Sequence, residues 1–264
     1  MSDNRPIGIF DSGVGGLTVA REIMSLLPGE KIIYLGDTAN LPYGDKSAEI
    51  VTDYAFANTR FLLKHNIKVL VVACNTASSV ALDALKAKFE IPIIGVIEPA
   101  AKGALYATRN QHIGVIGTNR TIRSGVYAQT LQELNKEVKV YSRACPLFVP
   151  LIEDDFIDHE ATRLIAREYL AELGEQEIDS LILGCTHYPL LKNMLSELLP
   201  GVKMIDSACS TAQDLQSILD SGHLKSDELK AEHQFFVTDV TDKLHKLGKR
   251  ILDFDVTFTE VNLL

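Results

Sequence analysis

The sequence predicts an α/β fold of parallel sheets covered by helices, arranged in two halves around one cleft. Three observations predict it. Short apolar runs alternate with helical periods along the chain, the pattern of strands joined by helical crossovers. One phrase occurs twice: Val69-Leu70-Val71-Val72-Ala73-Cys74-Asn75-Thr76 and Ser180-Leu181-Ile182-Leu183-Gly184-Cys185-Thr186-His187 each run an apolar strand into a cysteine and small hydrogen-bonding residues. The copies lie 185 − 74 = 111 residues apart, so each fits its own half and two thiols can face each other between them. Finally, strands run into tight strand-to-helix turns, and in an open parallel sheet ligands collect at the carboxyl ends of strands.

The first predicted strand, 7–10, ends in Asp11-Ser12-Gly13-Val14-Gly15-Gly16 ahead of a helix over 17–27. The glycines lack the third position of a dinucleotide fingerprint, and no Gly-Lys-Ser/Thr follows for a P-loop. They read instead as a close-approach loop that lets backbone N–H groups and the Ser12 hydroxyl reach a bound anion. Strand 31–35 leads into Asp37-Thr38-Ala39-Asn40-Leu41-Pro42-Tyr43-Gly44, which suits a surface loop or a ligand-covering loop equally. A helix over 48–65, strand 68–73 with Cys74-Asn75-Thr76, helix 78–89, strand 93–96 and helix 98–106 follow. The second half reads as strand 112–116, helix 121–134, strand 137–141, helix 159–173, strand 180–183, helix 189–199 and strand 202–205. Helix 210–219 and strand 234–237 complete the pattern. Pro189 suits a first helical turn, which puts Cys185 just ahead of a helix N-terminus, where the dipole favours a thiolate.

A chain of 264 residues can bury a substantial core as one large domain or two small ones. With 46% hydrophobic and 23% charged residues and no long biased tract, it is an ordinary globular sequence. No stretch approaches the roughly 20 apolar residues of a membrane helix. The polar start, Met1 to Pro6, lacks the layout of a secretory signal, so a cytoplasmic location is expected. A net charge of −9 argues against nucleic-acid and anionic-membrane partners, which need a basic patch. A small anion held by backbone N–H groups at helix starts remains compatible with it. Cys74, Cys145, Cys185 and Cys209 form no C-x-x-C pair and no Cys/His cluster at zinc spacing, so neither a metal site nor a disulfide is expected. Cys145 and Cys209 read as small hydrophobes, and the repeated context singles out Cys74 and Cys185.

Thiols on either face of one carbon can remove a proton from one side and return it from the other, which is what racemisation requires. One cysteine acts as thiolate base and the other as thiol acid, exchanging roles in the reverse direction. This chemistry needs no pyridoxal phosphate to spread the carbanion charge, only a dry, preorganised pocket. Asp11 and His187 are the candidates for holding one sulfur charged and the other neutral. Read alone, Asp11 is equally a turn-forming residue and His187 a capping or core histidine. The reading requires positions 74 and 185 to bracket one shared cavity with room for a single small dicarboxylic acid.

At these residues the chain resembles the glutamate racemases, cofactor-independent enzymes that supply D-glutamate for bacterial peptidoglycan. The resemblance rests on Gly8-Ile9-Phe10-Asp11-Ser12-Gly13-Val14-Gly15-Gly16-Leu17, Gly36-Asp37-Thr38, Leu41-Pro42-Tyr43-Gly44 and Ala73-Cys74-Asn75-Thr76-Ala77. It continues in Gly114-Val115-Ile116-Gly117-Thr118 and Leu183-Gly184-Cys185-Thr186-His187-Tyr188-Pro189-Leu190. It implies two similar doubly wound parallel-sheet domains related by a pseudo-twofold, with the active site in the cleft between them. The first domain would be discontinuous, residues 1–97 plus 207–264, and the second would span 98–206. It further implies that Cys74 and Cys185 are the acid/base pair, and that Asp11, Ser12, Pro42, Tyr43, Gly44, Asn75, Thr76, Thr186 and His187 contact glutamate. Thr118 and Thr121 would add to the far side, with Glu153 as a further acidic residue beside the second cysteine. A homodimer is implied, as is the lack of activation by a peptidoglycan precursor, since the lead before the first strand is short.

Three other readings fit parts of the sequence. A related aspartate or hydantoin racemase would keep the reaction and change the substrate, although the Cys-Thr-His-Tyr-Pro wording favours glutamate. A non-catalytic module binding an amino acid or gyrase would have no use for mirrored cysteines. A single-nucleophile thiol enzyme would form a covalent intermediate and leave one cysteine dispensable.

Overall fold

A computed structural model describes residues 2–263. Its strands are β1 (Ile7–Asp11), β2 (Ile32–Gly36), β3 (Val69–Val72), β4 (Ile93–Gly95) and β5 (His112–Gly117). They continue with β6 (Lys139–Ala144), β7 (Ser180–Gly184), β8 (Lys203–Asp206), β9 (Gln234–Val237) and β10 (Phe258–Glu260). The helices are α1 (Leu17–Leu26), α2 (Ala48–Leu63), α3 (Asn75–Val80), α4 (Leu82–Lys88), α5 (Ile97–Ala107) and α6 (Asn119–Ser124). After them come α7 (Val126–Leu134), α8 (Phe148–Glu153), α9 (Glu160–Gly174), α10 (Lys192–Leu198), α11 (Ser207–Ser221) and α12 (Asp242–Leu252).

The strands form two sheets, in the orders β10-β9-β2-β1-β3-β4 and β6-β5-β7-β8. Every pairing is parallel, as the alternation of strand and helix predicts. Strands β1, β2, β3 and β7 are buried at every position. Helices cover both faces of such a sheet, so a strand needs an unbroken apolar run rather than an alternating one. The registers position the site. Phe10 of β1 lies opposite Val72 of β3, and the Ala73 N–H donates to the Phe10 carbonyl at 2.9 Å. Asp11 and Cys74 therefore leave the first sheet at the same edge. In the second sheet Gly117 of β5 lies opposite Gly184 of β7, which releases Thr118 and Cys185 together.

Three predicted helices are broken. Residues 78–89 divide at Ala81 into α3 and α4, and 121–134 divide at Gly125, whose φ of 70° is left-handed. The helix expected over 189–199 begins as a 3-10 turn, Tyr188–Leu191, and becomes α-helical only in α10. Three further elements were not predicted. Helix α8 is six residues with Pro150 inside and β10 is three residues at a sheet edge, too short for a period to register. In α12, Leu244, Leu247 and Ile251 mark a buried stripe, but Gly248 interrupts its propensity. That glycine lets Val256 and Phe258 approach, since a Cβ there would lie 3.0 Å from both side chains.

One ion pair is buried in this framework. Lys68 Nζ lies 2.5 Å from Glu30 Oε2, with side-chain exposures of 0% and 2%. The same ammonium donates to the carbonyls of Asp3 at 2.6 Å and Leu224 at 2.7 Å, while Glu30 Oε1 accepts from the Ser226 N–H at 2.7 Å. Among the described residues, no helix is long and apolar enough to cross a membrane.

Candidate active site

The turns after β1, β2, β3, β5 and β7 converge on one cavity. Ser12, the segment Leu41 to Gly44, Cys74, Asn75 and Thr76 line it from the first sheet's side. Thr118, Val149, Cys185, Thr186 and His187 line it from the other. Both cysteines thus face the same space. That space is about 20 Å³, enough for a single water. The expected room for a dicarboxylic acid is therefore not present in this closed arrangement, and the walls must part to admit one.

Cys74 caps α3 with its sulfur, which accepts from the Ala77 N–H at 3.4 Å and contacts Ser12 Oγ at 3.6 Å. A helix N-terminus favours a thiolate, yet here burial wins. Desolvation, followed by the negative charge of Asp11, pushes the Cys74 thiol up to about 12 against those two hydrogen bonds. Cys74 therefore rests as a neutral thiol at ordinary pH.

Cys185 has different company. Its sulfur lies 3.9 Å from His187 Nδ1, and the opposite ring nitrogen, Nε2, lies 2.6 Å from Glu153 Oε1. Burial pulls the imidazole down, but the Cys185 sulfur and the Glu153 carboxylate outweigh it and hold His187 well above its ordinary value. Those two partners thus favour the protonated imidazole, buried between a sulfur and a carboxylate. Glu153 is at the end of α8 and lines not this cavity but a neighbouring pocket that shares Leu41, Pro42, Gly44, Thr118 and Val149 with it.

Asp11 lies one layer behind the cavity wall. Its Oδ2 accepts from the N–H groups of Gly13 at 3.1 Å and Gly16 at 3.0 Å, and its Oδ1 accepts from Thr186 Oγ1 at 3.2 Å. The glycine loop therefore spends two N–H groups on the protein's own carboxylate instead of offering them to a bound anion. The turn-forming and site-shaping readings of Asp11 are both satisfied, because the bond to Thr186 carries it to the opposite half. Burial raises the Asp11 carboxyl, over the opposing pull of His187 and its hydrogen-bond donors. The loop's close approach is concrete at Gly15, where a Cβ would lie 2.4 Å from His187 Nδ1 and 2.6 Å from Thr186 Oγ1.

Thr76 of α3 meets Thr118 at 2.9 Å and Thr121 at 3.3 Å, and the latter two are 3.0 Å apart, so a hydroxyl cluster spans the halves. Thr121 supports this cluster from behind and does not line the cavity. Tyr43 lines the wall with its ring, but its hydroxyl is committed to Asp37 and accepts from Asn58 Nδ2 at 3.1 Å. Pro42 and Gly44 pack beside it, and a Cβ on Gly44 would lie 2.7 Å from Thr118 Cβ. The loop over 37–44 thus serves both readings: exposed at its tip and wall-forming at its end. Leu41, Val149 and Tyr127 were missed by sequence reasoning. Tyr127 Oη donates to Asn75 Oδ1 at 2.6 Å from the far side of the interface. No residue spacing announces it. Among the described residues no group of three or more His, Cys, Asp or Glu is arranged to hold a metal ion.

Comparison with known proteins bears on this geometry. The family model described as Asp/Glu/Hydantoin racemase matches residues 17–215. The chain is 51% identical over 250 residues to the glutamate racemase of Geobacter metallireducens, covering 94% of this chain and 93% of that protein. A glutamate racemase isoform from Bacillus anthracis superposes with a TM-score of 0.96 at 41% identity, covering 99% of this chain and 98% of that one. Glutamate racemase from Francisella tularensis, solved in complex with D-glutamate, superposes at 0.93 with 39% identity over the same shares. Two facing parallel-sheet halves, a family match across most of the length and relatives of this identity make the chain a member of the Asp/Glu/Hydantoin racemase family of isomerases, alongside the glutamate racemases.

Proposed function

We propose that this protein interconverts L- and D-glutamate by two-base proton transfer at the α-carbon, with no cofactor, and so supplies D-glutamate for peptidoglycan in the cytoplasm. The observation that carries the reading is the pair of cysteines lining one cavity from opposite halves. Substrate enters when the halves part, and closure excludes water. In one direction Cys185, as thiolate, takes the α-proton. Cys74, as thiol, delivers its own proton to the opposite face, and the enzyme is left with the charges exchanged. The reverse reaction starts from that state.

Neighbours supply the asymmetry. The His187 imidazolium, held by Glu153, offers a cation beside Cys185, while Asp11 and burial keep Cys74 neutral. Ser12, Asn75, Thr76, Thr118 and Thr186 provide hydroxyl and amide groups for the two carboxylates and the amino group of glutamate. Pro42, Tyr43 and Gly44 close the wall, and Thr121 steadies the hydroxyl cluster. We assign the domain boundaries near residues 97/98 and 206/207, and a homodimer as the working assembly.

Incubation with L-glutamate in deuterium oxide, without added pyridoxal phosphate, should yield D-glutamate labelled at the α-carbon; unlabelled product, or none, refutes the reading. Cys74→Ala and Cys185→Ala should each lower kcat by about 10²-fold to 10⁴-fold or more in both directions. Full activity in either variant removes the two-base model.

A further inference from the structure

We infer that Tyr127 is a positioning residue that orients the Asn75 amide so that its NH2 group faces the substrate space. The inference rests on the proposed racemase reading and extends it to a residue of the opposite half. Asn75 lines the cavity and is 2% exposed. Its Oδ1 accepts from Tyr127 Oη at 2.6 Å, while its Nδ2 is buried with no hydrogen-bond partner. A buried amide donor left unpaired is costly, so its retention calls for an explanation. A carboxylate oxygen in the cavity would provide one.

The Tyr127 hydroxyl decides which end of the amide is presented. A phenol both donates and accepts, so either amide orientation is conceivable in isolation. If the amide turned over, Nδ2 would donate to Tyr127 Oη, and the phenolic hydrogen would lose the acceptor that the structure gives it. Oδ1 would then face the cavity and repel a carboxylate. Burial, with the negative charges of Cys185 and Asp206, raises the Tyr127 hydroxyl far above its ordinary range, so it stays a donor at every working pH. Tyr127 belongs to α7 and Asn75 to α3, on opposite sides of the cleft. The orienting bond thus crosses the cleft.

The test is Tyr127→Phe, which keeps the ring and removes only the hydroxyl, combined with Asn75→Ala in a double-mutant cycle. The proposal expects Tyr127→Phe to raise KM for both enantiomers of glutamate about tenfold, with kcat changed by less than about threefold, the scale of one hydrogen bond to a charged group. In the Asn75→Ala background the same substitution should change KM by less than about twofold, because no amide remains to orient. An equal effect of Tyr127→Phe in both backgrounds would show a packing role and overturn the proposal. So would an unchanged KM in the single variant. If Asn75→Ala itself leaves KM unaltered, the substrate contact in the underlying reading fails instead. Thermal unfolding of each variant separates these outcomes from a loss of fold: an unfolded Tyr127→Phe protein would also refute the proposal, since a residue that only orients an amide is dispensable for folding.

Discussion

Gly15→Ala tests how tightly the two sides of the site are fitted. The added Cβ would stand 2.4 Å from His187 Nδ1, 2.6 Å from Thr186 Oγ1 and 2.7 Å from His187 Cε1, where ordinary contact begins at 3.4 Å. About 1 Å of movement is therefore forced. The imidazole is held between Cys185 and Glu153, and Thr186 is bonded to Asp11, so neither can yield without breaking a buried contact. Overpacking of this kind costs about 1–3 kcal/mol of stability. A displacement of about 1 Å in a catalytic group costs on the order of 10²-fold in rate. Circular dichroism at the glutamate signal, followed from each enantiomer, gives kcat/KM, and thermal melts give stability. We expect kcat/KM to fall about 10²-fold in both directions, with a folded protein whose melting point drops by only about 2–12 °C. Wild-type kcat/KM would refute the argument that Gly15 is present to make room for His187.

Two further perturbations concern buried titratable groups. The Cys74 thiol is raised from 9.0 to about 12, so its contribution to stability is complete below pH 9.0 and is lost as pH rises through about 12. In denaturant titrations the wild type should lose about 2 kcal/mol relative to Cys74→Ser between pH 9 and about pH 10.5; a flat or rising difference contradicts the assignment. Lys68→Met would strand the Glu30 carboxylate and free the carbonyls of Asp3 and Leu224. A loss of about 3–5 kcal/mol is expected, largely recovered on adding Glu30→Leu, and a loss below about 1 kcal/mol would show that the pair is not sealed from water.

Much of the architecture was legible because it is written locally. A strand buried on both faces has to be apolar throughout, so β1, β3 and β7 stand out, and the cysteines that end two of those turns mark themselves by repetition. The environment of each sulfur was not legible. Helix-start logic marks Cys185 for a thiolate, but the sequence does not tell that Cys74 caps α3 or that burial beside Asp11 raises its thiol against that cap. The glycine loop illustrates a similar limit: its small residues were readable as a close approach, but not that the carboxylate approached by Gly13 and Gly16 belongs to Asp11. Leu41, Val149 and Tyr127 reach the cavity or its lining amide through tertiary packing and leave no period or motif. Gly125 and Ala81 show that helix ends inside a continuous apolar pattern depend on a single backbone conformation.

The strand order also has a consequence for biogenesis. The four-stranded sheet draws on one uninterrupted stretch of chain, residues 112–206, whereas β2 waits for β9, its neighbour, which lies 198 residues downstream of Gly36. At about 5–20 residues per second, a ribosome needs roughly 10–40 s to cover that gap. Throughout that interval the outer edge of β2 is unpaired, and by its end the nascent protein carries one finished lobe and one open one, a vulnerability that chaperones or rapid translation must bridge.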